Sequence, residues 1–229
     1  MKNCEFPFQI PALEESEEPD WNCLTIAIPK SPRLEQGTIN WLAGKGFQFP
    51  SSFTEGRTMV YKGNERRKVM KLRGGDIIRF LTEGNIPLGI LGADEILEAQ
   101  LAGIALQPIK RLGFGECMFR LAFPIEGFIP QTFKEIKGVL ENGIIATGLP
   151  NTLMFLMKRQ EIMIEPKQLF ILAGSVEIAQ ELNPDVAAMA DIVSTGKTAV
   201  ANGIRPDFCL IQFPGAFLVK KAGDENIVL

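Results

Sequence analysis

The chain has 229 residues, 46% of them hydrophobic and 22% charged, a composition typical of a globular protein with a sizeable core. It contains no histidine, which excludes histidine general bases, Ser-His-Asp triads and most zinc chemistry, and its four cysteines have no CxxC spacing. A formal net charge of −3 argues against a nucleic-acid-binding protein, and no apolar run reaches the roughly 20 residues of a membrane span.

The negative charge is concentrated at the start of the chain. Residues 1–20 carry six acidic side chains and one lysine, a balance of −5, so the remaining chain carries +2. The same stretch contains three prolines and no secretory signal pattern. We therefore predict a flexible acidic extension over residues 1–20 and a nearly neutral folded body in the cytoplasm.

Strand and helix patterns alternate through the first half of the chain. A compact apolar run over residues 23–28 predicts a buried strand, and residues 34–43 predict a helix. Further strands are predicted at residues 58–61, 69–72 and 88–91. Short helices are predicted after Asp76 and Asp94, both interpreted as helix caps. The alternation favours a mainly parallel sheet.

Basic side chains occur at two places in this half. Lys30 and Arg33 lie in the turn after the first strand, at the end of the sheet where open α/β proteins bind ligands. A second basic cluster is predicted to be a solvated strand edge, where charge discourages aggregation. It consists of Arg66, Arg67, Lys68 and Lys71.

The alternating pattern restarts after Gly115. Strands are predicted at residues 118–122, 143–147, 170–172, 191–193, 207–212 and 216–220. Helices are predicted at residues 131–137 and from Pro150 to about residue 159, with another opening at Gly174 and Ser175. The chain therefore contains two successive α/β units.

Residues 190–203 (ADIVSTGKTAVANG) have the pattern of a phosphate-binding turn. A short apolar strand containing Asp191 is followed by hydroxyl residues, a glycine and residues that can form a helix. This order places backbone N–H groups and hydroxyls at a helix N-terminus, which favours a phosphate group. The alternative is a nucleotide P-loop, because residues 196–198 read GKT. That motif needs a glycine five positions before Gly196, where the chain has Asp191, so the spacing does not fit a P-loop.

Six other short segments, in a fixed order, accompany this turn. They are residues 26–34 (IAIPKSPRL), 72–77 (LRGGDI), 88–94 (LGILGAD), 112–117 (LGFGEC), 146–151 (ATGLPN) and 172–179 (LAGSVEIA). Together the seven segments resemble the ATP phosphoribosyltransferase family, which catalyses the first step of histidine biosynthesis. The resemblance extends over roughly residues 23–213.

The resemblance implies a two-lobed α/β architecture of the periplasmic-binding-protein type II kind, with a ligand cleft between the lobes. Domain I would comprise residues 21–114 and 205–229, and domain II residues 115–204. The last strands would rejoin the first lobe. Since only about 25 residues follow Ile204, the chain resembles the short form of the family, which lacks a C-terminal regulatory domain.

The implied reaction transfers the phosphoribosyl group of phosphoribosyl pyrophosphate to N1 of ATP, with Mg2+ carried by the polyanionic substrates. The family motifs imply three groups of site residues. Lys30, Arg33 and Arg57 would stabilise the departing diphosphate. The ribose donor would be bound by Asp191, Ser194, Thr195, Gly196, Lys197 and Thr198. The nucleotide would be contacted by Gly174, Ser175 and Glu177.

Short forms of the family work with a regulatory subunit resembling histidyl-tRNA synthetase, so we expect such a partner and at least a homodimer of this chain. Lys197 replaces a small or hydroxyl residue in the phosphate-binding turn, and three positions outside that turn also depart from the family pattern. Ala187 and Pro87 replace aspartates, and Pro32 replaces a small residue in the first turn. These departures leave open a second interpretation, in which the chain is a phosphate-binding or nucleotide-binding module of the same fold without turnover.

Overall fold

The computed structural model describes residues 19–21, 24–63, 66–124, 128–193 and 204–223, with residues 204–207 described by their backbone alone. Nearly all of the predicted acidic extension, residues 1–18, lies outside these ranges. The chain forms two compact units. The first unit contains the described residues up to Glu116 and those from Pro214 onward, and the second contains Cys117–Phe213.

Strands and helices alternate in both units. The strands are β1 (Thr25–Pro29), β2 (Val60–Lys62), β3 (Lys68–Leu72), β4 (Leu88–Gly92), β5 (Leu106–Arg111), β6 (Cys117–Pro124), β7 (Ile144–Thr147), β8 (Leu169–Ile171), β9 (Val186–Val193), β10 (Ile204–Phe213) and β11 (Ala216–Lys221). The helices are α1 (Glu35–Gly44), α2 (Ser51–Thr54), α3 (Gly74–Thr82), α4 (Ala93–Leu101), α5 (Phe133–Asn142), α6 (Pro150–Arg159) and α7 (Ala179–Leu182). Helix α6 has the bounds predicted from the sequence. None of the helices described here has the length and apolar character needed to cross a membrane.

The first unit is built on a six-stranded sheet with the strand order β2-β3-β1-β4-β11-β5. Strand β1 runs parallel to both β3 and β4, whereas β11 is antiparallel to β4 and β5. All five residues of β4 are buried, as expected of a central strand covered on both faces. Helices α1, α3 and α4 contribute buried apolar side chains to this core, among them Leu42, Leu81 and Leu97.

The second unit is built on a five-stranded sheet with the order β10-β6-β9-β7-β8. Strand β7 is parallel to β8 and β9, while β6 is antiparallel to both β9 and β10. The parallel part of this sheet is therefore β8-β7-β9.

Helix α5 begins at a capping box, in which Glu135 N donates to Thr132 Oγ1 and Thr132 N donates to Glu135 Oε2.

The boundaries of the units differ from those expected of the domains. We predicted that the chain leaves the second domain at residue 205 and that both last strands rejoin the first. Strand β10 instead pairs antiparallel along β6, from Ile204 opposite Pro124 to Phe213 opposite Cys117. The second unit therefore extends to Phe213, and only β11 returns to the first sheet.

Two local features also differ from the sequence prediction. Strand β5 was not among the predicted strands, and it contains Pro108, a residue that is confined to edge strands or bulges. It is tolerated here because β5 is the last strand of the sheet. Asp76 and Asp94 are not helix caps, since α3 and α4 begin earlier, after Arg73 and Gly92.

The return crossing into β11 depends on Gly215. Its φ is +99°, and an added Cβ would lie 2.2 Å from the carbonyl oxygen of Phe114. Its backbone cannot shift easily, because Gly215 O accepts a hydrogen bond from Ala93 N at 2.9 Å.

We predict that Gly215→Ala lowers the free energy of unfolding by about 1–3 kcal/mol, because the methyl group meets backbone in a left-handed conformation. The control is Gly138→Ala, in helix α5, where an added Cβ meets nothing within 4 Å. This substitution should raise stability by about 0.5–1 kcal/mol. Urea unfolding measures both, and a Gly215→Ala protein as stable as wild type would contradict the tight crossing.

Candidate functional site

The parallel strands of the second unit end together at one edge of its sheet. Thr147, the last residue of β7, pairs with Ile171 of β8 and with Ala190 of β9. Asp191 follows in β9 and is half-buried. The predicted phosphate-binding residues Ser194, Thr195, Gly196, Lys197 and Thr198 come directly after β9 and lie outside the described residues.

Asp191 lies beside the turn that joins β7 to α6. A Cβ added to Gly148 would be 4.0 Å from Asp191 Oδ1 and 3.2 Å from Leu172 O. Thr147 is fully buried, and its Oγ1 accepts a hydrogen bond from Leu149 N at 3.1 Å. The carboxylate therefore lies next to a tight turn and close to the N-terminus of α6, which begins at Pro150. A small residue at position 148 leaves space beside Asp191.

The segment after β8 reaches the same edge. Leu172 N donates to Thr147 O at 3.1 Å, which holds the start of this segment next to β7. Gly174 and Ser175 are exposed and have positive φ values of 146° and 53°. Glu177 is half-buried in the short 3₁₀ helix Val176–Ile178. The structure thus brings Asp191, Gly174 and Ser175 to one edge of the sheet.

The first unit has a corresponding edge, where β1, β3 and β4 end. Lys30 directly follows β1, and its backbone N–H donates to Leu72 O at 2.7 Å, at the end of β3. The Lys30 side chain is exposed. Arg57 is also exposed, in the segment between α2 and β2. A Cβ at the preceding Gly56 would lie 2.3 Å from Ser52 O, so the chain turns tightly just before Arg57.

Arg33 occupies a different environment from the other two predicted cations. Its Nη2 donates to both carboxylate oxygens of Asp94, at 2.8 and 2.7 Å, and its Nη1 donates to Gly115 O at 2.7 Å. The side chains of Arg33 and Asp94 are only 17% and 7% exposed. Arg33 thus ties the turn after β1 to the start of α4, and the resemblance alone gave no sign of this ion pair.

Glu95 lies in the first turn of α4, at the edge of the first sheet where β4 ends, and the sequence analysis did not single it out. Its Oε2 accepts a hydrogen bond from Gly92 N at 3.1 Å. A Cβ added to Gly74 would be 1.7 Å from Glu95 Oε1, so the carboxyl group packs directly on the first residue of α3. Burial, and then the negative charge of Asp94, raise the pKa of Glu95 to about 7 against the opposing effects of Gly92 N–H and Arg33.

Magnesium binding has a limited set of donors in the described part of the chain. No group of three or more aspartate, glutamate, cysteine or histidine residues that could hold a metal ion is found there. Asp191 is the carboxylate at the second unit's edge. One carboxylate fits a Mg2+ ion that is held mainly by substrate phosphates and water.

The raised pKa of Glu95 predicts a pH dependence of stability. Between about pH 4.5 and 7 the folded protein binds more protons than the unfolded chain, so this contribution to stability is lost as the pH rises. We predict that Glu95→Gln, which mimics the protonated group, makes the protein more stable than wild type at pH 8 by about 1–2 kcal/mol, and not at pH 4.5.

The control is Glu83→Gln, at the exposed end of α3, where the Arg79–Glu83 ion pair of 3.9 Å should contribute little. Urea unfolding from pH 4.5 to 8 measures the three proteins. An unchanged slope of stability with pH in Glu95→Gln would contradict a protonated Glu95.

Comparison with known proteins agrees with the fold of the two α/β units. A family model described as HisG, ATP phosphoribosyltransferase, matches residues 73–225. The fold is similar to that of the ATP phosphoribosyl transferase (HisG:HisZ) complex from Thermotoga maritima, with a TM-score of 0.63 and 23% identity over 88% of this chain and 89% of that chain. It is also similar to the periplasmic aliphatic sulphonate binding protein SsuA from Escherichia coli, with a TM-score of 0.51 and 17% identity over 87% of this chain and 65% of that chain.

These likenesses confirm the predicted α/β fold of the periplasmic-binding-protein type II kind. The family model covers more than half of the chain, including the second unit's edge and the starts of α3 and α4, but not the turn after β1, the Arg57 segment or β3. The protein therefore belongs to the HisG family of ATP phosphoribosyltransferases.

Proposed function

We propose that the protein transfers the phosphoribosyl group of phosphoribosyl pyrophosphate to N1 of ATP, as the first step of histidine biosynthesis. The N1 lone pair forms a bond to ribose C1′ while the bond from C1′ to the diphosphate oxygen breaks, and its electron pair leaves with pyrophosphate. The observation that carries the proposal is the position of Asp191, next to Gly148 at the carboxyl edge of β7 and β9. This is where open α/β sheets bind ligands.

The second unit would bind the ribose donor. Asp191 would face the ribose hydroxyls or a Mg2+ ion, and residues 194–198 would hold the 5′-phosphate through backbone N–H groups and hydroxyls. The metal would neutralise charge on the diphosphate as it departs. Gly174, Ser175 and Glu177 would contact the nucleotide, since the segment that carries them begins at the same edge.

The first unit would stabilise the leaving diphosphate. Lys30 and Arg57 are the predicted cations whose side chains are exposed. Arg33 is held by Asp94 and Gly115, so we assign it the role of fixing the turn that carries Lys30. Electrostatic stabilisation of this kind requires charges that are already in place before the reaction.

Strand direction weakens the case for the alternative, a module without turnover. Ala187 is near the amino end of β9, roughly 13 Å along the strand from Asp191 at about 3.3 Å per residue. Pro87 precedes β4, at the end of that strand opposite to Gly92. Neither departure is at the edge where the ligand groups would lie. Pro32 is in the first turn itself and is exposed.

We predict that the protein releases pyrophosphate from ATP, phosphoribosyl pyrophosphate and Mg2+, and that Asp191→Asn lowers kcat/KM by about 10²-fold because it removes charge at the reacting ribose. The control is Asp185→Asn, an exposed aspartate in the loop before β9. A coupled pyrophosphate assay measures all three proteins. Binding of both substrates without turnover would favour the module, and ATP hydrolysis without the ribose donor would favour a P-loop enzyme.

We also infer a protein partner. The similar Thermotoga maritima structure is a HisG:HisZ complex. We predict that the chain forms at least a homodimer and assembles further with a regulatory subunit resembling histidyl-tRNA synthetase, through which histidine inhibits the reaction. Light scattering after gel filtration should detect the larger assembly on mixing the two proteins. If the mixture elutes as two separate species, and histidine has no effect on turnover, the assignment of this partner fails.

A further inference from the structure

Lys71 is a buried lysine that the proposed ligand contacts do not use. It is only 3% exposed and is the second-last residue of β3. Its Nζ donates to Phe53 O at 2.5 Å and forms an ion pair with Glu35 Oε1 at 2.6 Å. The same ammonium group lies 4.6 Å from the centre of the Phe53 ring. The sequence pattern placed Lys71 among solvated edge residues, and the structure contradicts that prediction.

One partner of Lys71 belongs to the helix that follows the Lys30 turn. Glu35 is the first residue of α1, and its backbone N–H donates to Ser31 O at 2.8 Å. The residue next to Lys71 holds the other side of the same turn, because Leu72 O accepts the hydrogen bond from Lys30 N. The end of β3 therefore fixes the Lys30 turn both through the backbone and through the Lys71–Glu35 ion pair.

The other contacts of Lys71 hold the segment that contains Arg57. Phe53 lies in α2, shortly before Arg57, and its carbonyl oxygen accepts from Lys71 Nζ. Met59 comes shortly after Arg57, and its carbonyl oxygen accepts from Lys71 N at 2.8 Å. Both flanks of Arg57 are thus hydrogen-bonded to the same lysine.

We propose that Lys71 is a positioning residue, which fixes the Lys30 turn and the Arg57 segment at a set spacing so that both cations contact one diphosphate group. This inference rests on the proposed function and deepens it. Lys71 itself does not touch the ligand, since its ammonium group is occupied by Glu35 and Phe53.

A role in stability alone does not explain a lysine at this position. Burying an ammonium group is costly, and apolar replacements of buried ion pairs are often neutral or stabilising. The surrounding side chains include Phe49 and Tyr61, whose rings lie 5.0 and 6.0 Å from that of Phe53. An apolar side chain would suit this aromatic layer, but it could not bond to α1 and to the Arg57 segment at once.

The test uses two ligands that separate the two halves of the ribose donor. Inorganic pyrophosphate represents the leaving group, and ribose 5-phosphate represents the part assigned to the second unit. We expect Lys71→Met to weaken pyrophosphate binding about tenfold or more, because small misplacements of charged groups are costly. Binding of ribose 5-phosphate should stay the same. Calorimetry measures both affinities in the full-length protein.

In turnover, Lys71→Met should lower kcat and kcat/KM for phosphoribosyl pyrophosphate, while the KM for ATP stays close to that of wild type. The matched control is Lys62→Met, which removes an exposed lysine from the adjacent strand β2. A solvated charge of this kind is screened by salt, so the control should bind pyrophosphate within about twofold of wild type.

A second variant protects the test against misfolding of Lys71→Met. Glu35 is 26% exposed, so Glu35→Ala removes the ion pair to Lys71 without leaving a cavity in the core. It should also weaken pyrophosphate binding and leave ribose 5-phosphate binding unchanged. Because both residues act through one contact, the double variant should lose no more affinity for pyrophosphate than Lys71→Met does.

Two results would overturn the positioning role. One is pyrophosphate affinity unchanged in both Lys71→Met and Glu35→Ala. The other is an equal loss of both ligands together with a lower Tm, which indicates damage to the fold. A wild-type protein that does not bind pyrophosphate at all would refute the proposed function itself and this inference with it, and the wild-type measurement alone reveals that case.

Discussion

Parallel pairing of strands determines where Lys30 and Asp191, two of the candidate functional residues, lie. In the first unit β1 runs parallel to β3 and β4, and in the second β7 runs parallel to β8 and β9. Parallel strands direct all the turns that follow them to one edge of the sheet, so residues far apart in sequence become neighbours. Lys30 meets Leu72 in this way, and Asp191 meets Gly148. An antiparallel strand also brings a turn to the first edge, because Ala216 at the start of β11 pairs with Gly92 at the end of β4, and Gly215 O accepts from Ala93 N.

Basic residues at the first unit's edge fall into two groups that differ in burial. Arg33 and Lys71 are largely buried, and each forms an ion pair with a carboxylate on a helix, as well as a hydrogen bond to a backbone carbonyl. Lys30 and Arg57 are exposed. A buried cation that is fully paired has little left to offer a ligand, but it holds two chain segments at a fixed distance. An exposed cation next to it is then available in a fixed place, which is what stabilising a departing polyanion requires.

Much of this fold could be predicted from the sequence because buried parallel strands are short apolar runs followed by glycine or proline, and β1 and β4 have that pattern. What the sequence could not show is long-range pairing. Nothing in the residues of β10 indicates that it pairs with β6, and Pro108 argues locally against β5. The same limit applies to charges: Lys71 lies in a basic run that is otherwise typical of a solvated edge, and its partner Glu35 is in another element. The place of Lys30, directly after β1, was predictable because a turn after an apolar run is a local signal.

Strand direction also decides which departures from the family pattern bear on chemistry. Substitutions at the amino end of a strand, as at Ala187, lie a strand length away from the ligand edge. Pro32 is the departure that remains at that edge, and it acts through the backbone. Proline has no N–H group, so the first turn offers a phosphate one donor fewer. In the proposed function, binding at this turn would then depend more on side-chain charge, which would make the position of Lys30 more important than in a turn built from small residues. Two contacts at the end of β3 fix the position of Lys30. Its backbone N–H donates to Leu72 O, and the neighbouring Lys71 forms the ion pair with Glu35 at the start of α1.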